Sequence, residues 1–228
     1  MSLWVKIFGN TSLEDARLAA DAGADAVGFV FAPSPRRVTA AQVAAITLPL
    51  PASLEKIGVF VDASVEEILE TVRLCRLTGV QLHSETGPAA AAQLRAQLGP
   101  GLRILGVLHF GPATVEQTAS VLKDPSVDAI LVDSRTATAA GGTGIAFDWK
   151  KARETLIRTA ETRARRIVVA GGLSPENVAE AIGTLAPWGV DVVSGVEAAP
   201  GRKDAAKVKA FVANARAAER ISRSSICP

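Results

Sequence analysis
Eight short β-branched runs separated by Ala/Glu/Leu-rich amphipathic stretches predict an α/β chain folded as one (β/α)8 TIM barrel. Two features narrow the prediction. The units repeat at roughly 25–30 residues, which suits a barrel near the lower end of the usual size range. The runs are almost wholly apolar, as parallel strands covered on both faces are, whereas half-exposed antiparallel strands alternate.

Taken in order, the runs are Leu3–Phe8, Ala26–Phe31, Lys56–Val61, Gly79–His83, Arg103–Leu108, Ala129–Asp133, Arg166–Ala170 and Asp191–Ser194. The stretches between them carry helix start signals. Thr11-Ser12-Leu13-Glu14-Asp15 offers a hydroxyl cap followed by first-turn acids. Ser64-Val65-Glu66-Glu67 has the capping-box spacing, and Ser174-Pro175-Glu176-Asn177 places a cap before a proline at the first helical position. Asp21-Ala22-Gly23 and Leu98-Gly99 read as helix ends, since glycine accepts the left-handed conformation there. An open doubly wound sheet would normally carry a Gly-rich fingerprint after its first strand, and Ile7-Phe8-Gly9-Asn10-Thr11 supplies none. One barrel domain over 1–219 is expected, with 220–228 a disordered polar tail.

Composition bounds the function. The chain has 228 residues, 48% of them apolar, enough for one domain with a sizeable core. Lys plus Arg number 25 against 23 Asp plus Glu, a balance that argues against a general nucleic-acid binder. Cys75 and Cys227 form no plausible disulfide framework or metal cluster, which fits a reducing cytoplasm. The opening residues lack the apolar stretch of a signal peptide. No apolar run approaches the roughly 18 residues of a membrane helix. A cytoplasmic protein with no membrane partner, monomeric or homodimeric, is expected.

In this fold chemistry sits at the C-terminal strand ends. Three glycine-rich segments fall there late in the chain: Gly141-Gly142-Thr143-Gly144, Ala170-Gly171-Gly172-Leu173 and Ser194-Gly195-Val196-Glu197. Glycine lets backbone amides approach a phosphate, and the loops after strands seven and eight are the usual phosphate site. Any one of these segments is equally readable as a tight turn. Asp133 ends the sixth run and either transfers protons at the barrel mouth or caps a nearby amide. Arg36 and Arg37 offer a carboxylate clamp or two solvated charges. His83 is a substrate contact or a hydrogen-bonded core residue; His109, at or past the fifth strand end, carries less weight. Asp191 opens the eighth run, the wrong end for catalysis, and reads as structural. Trp4, Trp149 and Trp188 read as packing residues.

Together these segments resemble the phosphoribosylanthranilate isomerases of tryptophan biosynthesis. The match runs through Val5-Lys6-Ile7-Phe8-Gly9-Asn10-Thr11, 23–31, Ser34-Pro35-Arg36-Arg37-Val38, Gly58-Val59-Phe60-Val61 and Val80-Gln81-Leu82-His83. It continues through 141–144, Phe147-Asp148-Trp149, 170–178 and Asp191-Val192-Val193-Ser194-Gly195-Val196-Glu197, in order, from Val5 to about Ala215. The resemblance implies a cofactor-free barrel enzyme that performs an Amadori rearrangement on a phosphorylated small molecule. It makes Asp133 the general acid, Arg36 the holder of the anthranilate carboxylate, and the amides around Gly142, Gly144, Gly172, Gly195 and Val196 the phosphate site.

The family's general base is a cysteine in a Lys-Ile-Cys-Gly motif, and here the motif reads Lys6-Ile7-Phe8-Gly9. Phenylalanine accepts no proton, and losing one positioned base typically costs about 10²–10⁴ in rate. The loop around Ser34-Pro35-Arg36 is also a residue shorter than usual, and Gly106 stands where a basic residue is common. Three readings follow. In the first, the isomerase works without the cysteine, with Asp133 serving both proton transfers or His83 as substitute base. In the second, the pocket isomerises another phosphosugar. In the third, the barrel binds a phosphorylated ligand without turnover.

Overall fold
The computed structural model describes residues 2–83, 87–109, 124–133 and 166–224. Eight parallel strands close into a barrel in chain order, β1 to β8. They are β1 Trp4–Ile7, β2 Ala26–Val30, β3 Glu55–Phe60, β4 Gly79–Leu82, β5 Arg103–His109, β6 Ala129–Asp133, β7 Arg166–Ala170 and β8 Gly189–Val192. The described helices are α1 Leu13–Asp21, α2 Ala40–Thr47, α3 Val65–Cys75, α4 Gly87–Leu98, α5 Val178–Leu185 and α6 Ala205–Ser224. A short hairpin, β9 Glu197–Ala199 with β10 Arg202–Lys203, follows the last barrel strand.

The strands are apolar because both faces are covered. Outward Val5, Ile7, Val27, Val80, Ile104 and Val190 join the helices in one hydrophobic layer. Inward Trp4, Ile57, Leu105, Leu131, Val168 and Ala170 fill the barrel in another. Gly106 lies between inward Leu105 and Val107, so strand alternation turns it outward, and the departure noted there leaves the interior untouched. At the N-terminal end, Trp4 and Trp188 stack at 5.2 Å with the Arg103 and Arg166 guanidinium groups 5.2 and 5.0 Å from the Trp188 ring. That closes the floor and leaves the opposite end as the mouth.

Local signals explain most boundaries. Ser12 accepts from the Asp15 amide at 3.1 Å, and Ser64 and Glu67 form the expected capping box. Gly23 and Gly99 end α1 and α4 with φ of +90° and +70°. The eighth strand starts earlier than the sequence suggests, at Gly189, and Asp191 therefore lies inside the barrel rather than at its entrance. The chain then turns at once into a one-turn 3-10 helix, Ser194–Val196, which ends the strand. The α5 helix starts at Val178, because Ser174 to Asn177 form their own turn: Asn177 Oδ1 accepts from the Ser174 amide at 2.8 Å. The last helix runs to Ser224, past the boundary expected at 219. Among the described residues no helix is long and apolar enough to cross a membrane.

Candidate active site
The mouth is built from strand ends. Phe8 follows β1, its amide donating to the Val192 carbonyl at 2.9 Å. A Cβ on Gly28 would lie 2.8 Å from Phe8 Cδ2, so the absent side chain on β2 makes room for the ring. Below the ring, Lys6 Nζ is 5.3 Å from its centroid. Lys6 is fully buried, pairs with Asp191 at 3.4 Å and donates to Gln81 Oε1. Burial holds its ammonium below the ordinary range, with the Asp191 carboxylate opposing that shift.

This arrangement reaches His83. Because Gln81 Oε1 accepts from Lys6, the Gln81 amide nitrogen is the group 2.6 Å from His83 Nε2. An amide nitrogen only donates, so the His83 Nε2 lone pair is engaged as the acceptor of this hydrogen bond. Asp133 closes β6 at 2% exposure, in register with His109 on β5 and Ala170 on β7. The sequence-selected acid thus stands on the rim beside the first glycine of the 171–172 pair.

Of the residues expected to hold phosphate, Gly172 is exposed with φ +64° and open space where a Cβ would project. Gly195 lies at the opposite extreme: a Cβ there would sit 2.0 Å from the Leu173 carbonyl oxygen, so only glycine lets the turn after β8 pack against the turn after β7. Val196 is buried and its amide donates within the turn to Val193 O at 3.3 Å. Gly142, Gly144 and Trp149 lie outside the described residues.

Arg36 is brought to the mouth by a turn in which its amide donates to Ser34 Oγ at 3.1 Å, while Arg37 is exposed. The Arg36 side chain meets Glu197 in a fork: Nε to Oε1 at 2.8 Å and Nη2 to Oε2 at 2.6 Å. Glu197 also pairs with Lys203 at 3.2 Å, and Lys203 donates to the Phe8 carbonyl at 2.6 Å. Burial works to raise the Glu197 carboxyl, yet the Arg36 fork, Lys203 and the Gly201 amide together hold it below its usual range.

Sequence reading missed Lys6, Gln81, Glu197 and Lys203. For the first two a signal existed: a lone polar residue at an inward position of an otherwise apolar strand. The hairpin pair carried none.

A family model described as N-(5'-phosphoribosyl)anthranilate (PRA) isomerase matches residues 5–214. The chain belongs to this family. An N-(5'-phosphoribosyl)anthranilate isomerase of Geobacter sp. (strain M21) is 43% identical over 213 residues, covering 93% of this chain and 97% of the relative. The crystal structure of phosphoribosyl anthranilate isomerase from Thermotoga maritima superposes with a TM-score of 0.82 at 36% identity, over 94% of this chain and 99% of that one. A further isomerase structure, solved in complex with reduced 1-(o-carboxyphenylamino)-1-deoxyribulose 5-phosphate, gives a TM-score of 0.78 at 34% identity, with the same coverage of 94% and 99%. Family membership and closed barrel agree.

Proposed function
We propose that the chain converts N-(5-phosphoribosyl)anthranilate to 1-(2-carboxyphenylamino)-1-deoxyribulose 5-phosphate, the Amadori step of tryptophan biosynthesis. One observation carries this reading: a buried carboxyl group, Asp133, stands on the same rim as Arg36 and the glycine turns at 171–172 and 194–196. A substrate with a carboxylate at one end and a phosphate at the other needs two anchors and a proton donor between them. Arg36 takes the carboxylate. By the resemblance, amides of Gly142, Gly144, Gly172, Gly195 and Val196 take the phosphate; the exposed, left-handed backbone of Gly172 supports this for one of them, while the Val196 amide must exchange Val193 O for the ligand.

Asp133 delivers a proton to the ribose ring oxygen, the ring C–O bond breaks and an imine forms. Removal of the C2 proton gives the enolamine, which tautomerises to the ketone. With Phe8 in the base position, Asp133, ionised by the first step, is the group that takes the C2 proton. The engaged lone pair of His83 Nε2 favours this over the substitute-base role. Turnover of phosphoribosylanthranilate by the purified protein tests the reading, and Asp133→Asn is expected to abolish it. A protein whose melting temperature rises with the substrate while no product forms would instead be a binder. Complementation of a tryptophan auxotroph lacking the isomerase gives the same answer in cells, where a cytoplasmic monomer or homodimer acting on a phosphorylated small molecule restores growth.

A further inference from the structure
We propose that Glu197 and Lys203 are positioning residues: the β9–β10 hairpin holds the Arg36 guanidinium and the end of β1 in one fixed relation, and so orients the carboxylate-bearing ring of the substrate against position 8. The inference rests on the reading of Arg36 as the carboxylate contact.

Glu197 and Lys203 are 7% and 8% exposed, and register pairs them across the hairpin. A buried ion pair adds little net stability over a well-packed apolar pair, so stability alone gives no account of it. Its geometry does. A guanidinium presents two edges to carboxylates, one through Nε and Nη2 and one through Nη1 and Nη2. Glu197 occupies the first edge completely, with Oε1 on Nε and Oε2 on Nη2. Among the described residues only Glu197 is paired with this guanidinium, and the second edge faces no other described carboxylate, so it suits a substrate carboxylate in the same plane. Lys203 and Gly201 donate to Glu197 Oε1 at 3.2 and 3.1 Å, which stops the acceptor from turning.

The same lysine reaches the first strand through the Phe8 carbonyl, and the hairpin is sewn to the loop after β1 by Thr11 Oγ1 to Gly201 O at 2.7 Å. Gly9, with φ +75°, completes the passage: a Cβ there would meet Arg36 Cδ at 2.8 Å and Val193 Cγ2 at 2.9 Å. The arginine stem therefore lies across the residue next to Phe8, and its direction is set from the far side by Glu197.

A double-mutant cycle on phosphoribosylanthranilate turnover tests this. Glu197→Gln is expected to raise KM about tenfold with kcat within about threefold, the scale of one charged hydrogen bond. Arg36→Met raises KM further, and the double variant is no worse than Arg36→Met alone. Additive effects would overturn the inference, since they mean that Glu197 acts other than through Arg36. If Arg36→Met leaves KM unchanged, the carboxylate reading fails instead, and the two failures are told apart. Arg36→Lys decides the matter should Glu197→Gln not fold. It keeps the charge but cannot span Glu197 and the substrate, so KM close to that of Arg36→Met supports the proposal, and KM close to the parent value overturns it.

Discussion
The resemblance sets Phe8 against the cysteine of the Lys-Ile-Cys-Gly motif, and its ring fills the space that Gly28 leaves open. Phe8→Cys puts a thiol where the ring meets the rim and is expected to raise kcat by about 10²–10⁴, the value of one positioned base. It should lower stability as well, by less than the ~3–5 kcal/mol of a fully buried Phe truncation, because the ring is half-buried. Single-turnover rates and urea unfolding read the two effects separately. No change in rate would mean that the pocket has been rebuilt around the ring. The place of Asp133 at the end of the sixth strand was legible in the sequence because it closes an apolar run, where a carboxylate has no packing role. Glu197 was not, since it meets Arg36 across 161 residues and only barrel closure brings them together.

At the level of elements, the glycine turns behave differently although they look alike in sequence. Gly195→Ala forces a methyl group into the Leu173 carbonyl, so the turns after β7 and β8 must part. Gly172→Ala meets open space and bears only the left-handed backbone cost of about 1–2 kcal/mol. KM should rise far more in the first variant, and melting temperature should fall in both. In α3, burial pushes the Cys75 thiol up to about 11, and its Sγ donates to the Ala40 carbonyl at 3.2 Å. In a Cys227→Ser background, a thiol reagent at pH 8 should label the protein only after unfolding. Strand and helix order were readable because apolar runs and capping hydroxyls are local. The misread boundaries share another cause. The eighth strand has only Gly189-Val190-Asp191-Val192 to announce it, and Ser174 forms a turn with Asn177 that mimics a helix cap.

For the molecule as a whole, the buried Lys6–Asp191 pair spans β1 and β8, the two strands whose pairing closes the barrel. Asp191→Asn leaves a buried ammonium without its counter-charge and should cost about 3–5 kcal/mol in urea unfolding at pH 7. The sign of its pH dependence follows from Lys6. Its folded pKa lies below 10.5, so between the two values the unfolded chain holds more protons and stability rises with pH. Losing Asp191 lowers the folded value again, so the deficit should shrink as pH climbs towards 10. Barrel closure itself was foreseeable from the count and spacing of the runs. That an ion pair sits on the seam was not, because Lys6 and Asp191 occupy opposite ends of the sequence.

The hairpin that steadies the entrance is translated after the parts that it holds. A ribosome-bound chain that has not yet emerged through Lys203 has its first strand and Arg36 already made, but nothing to hold either in place. A chain stopped short of residue 203 therefore leaves an aimless arginine at an unsewn rim.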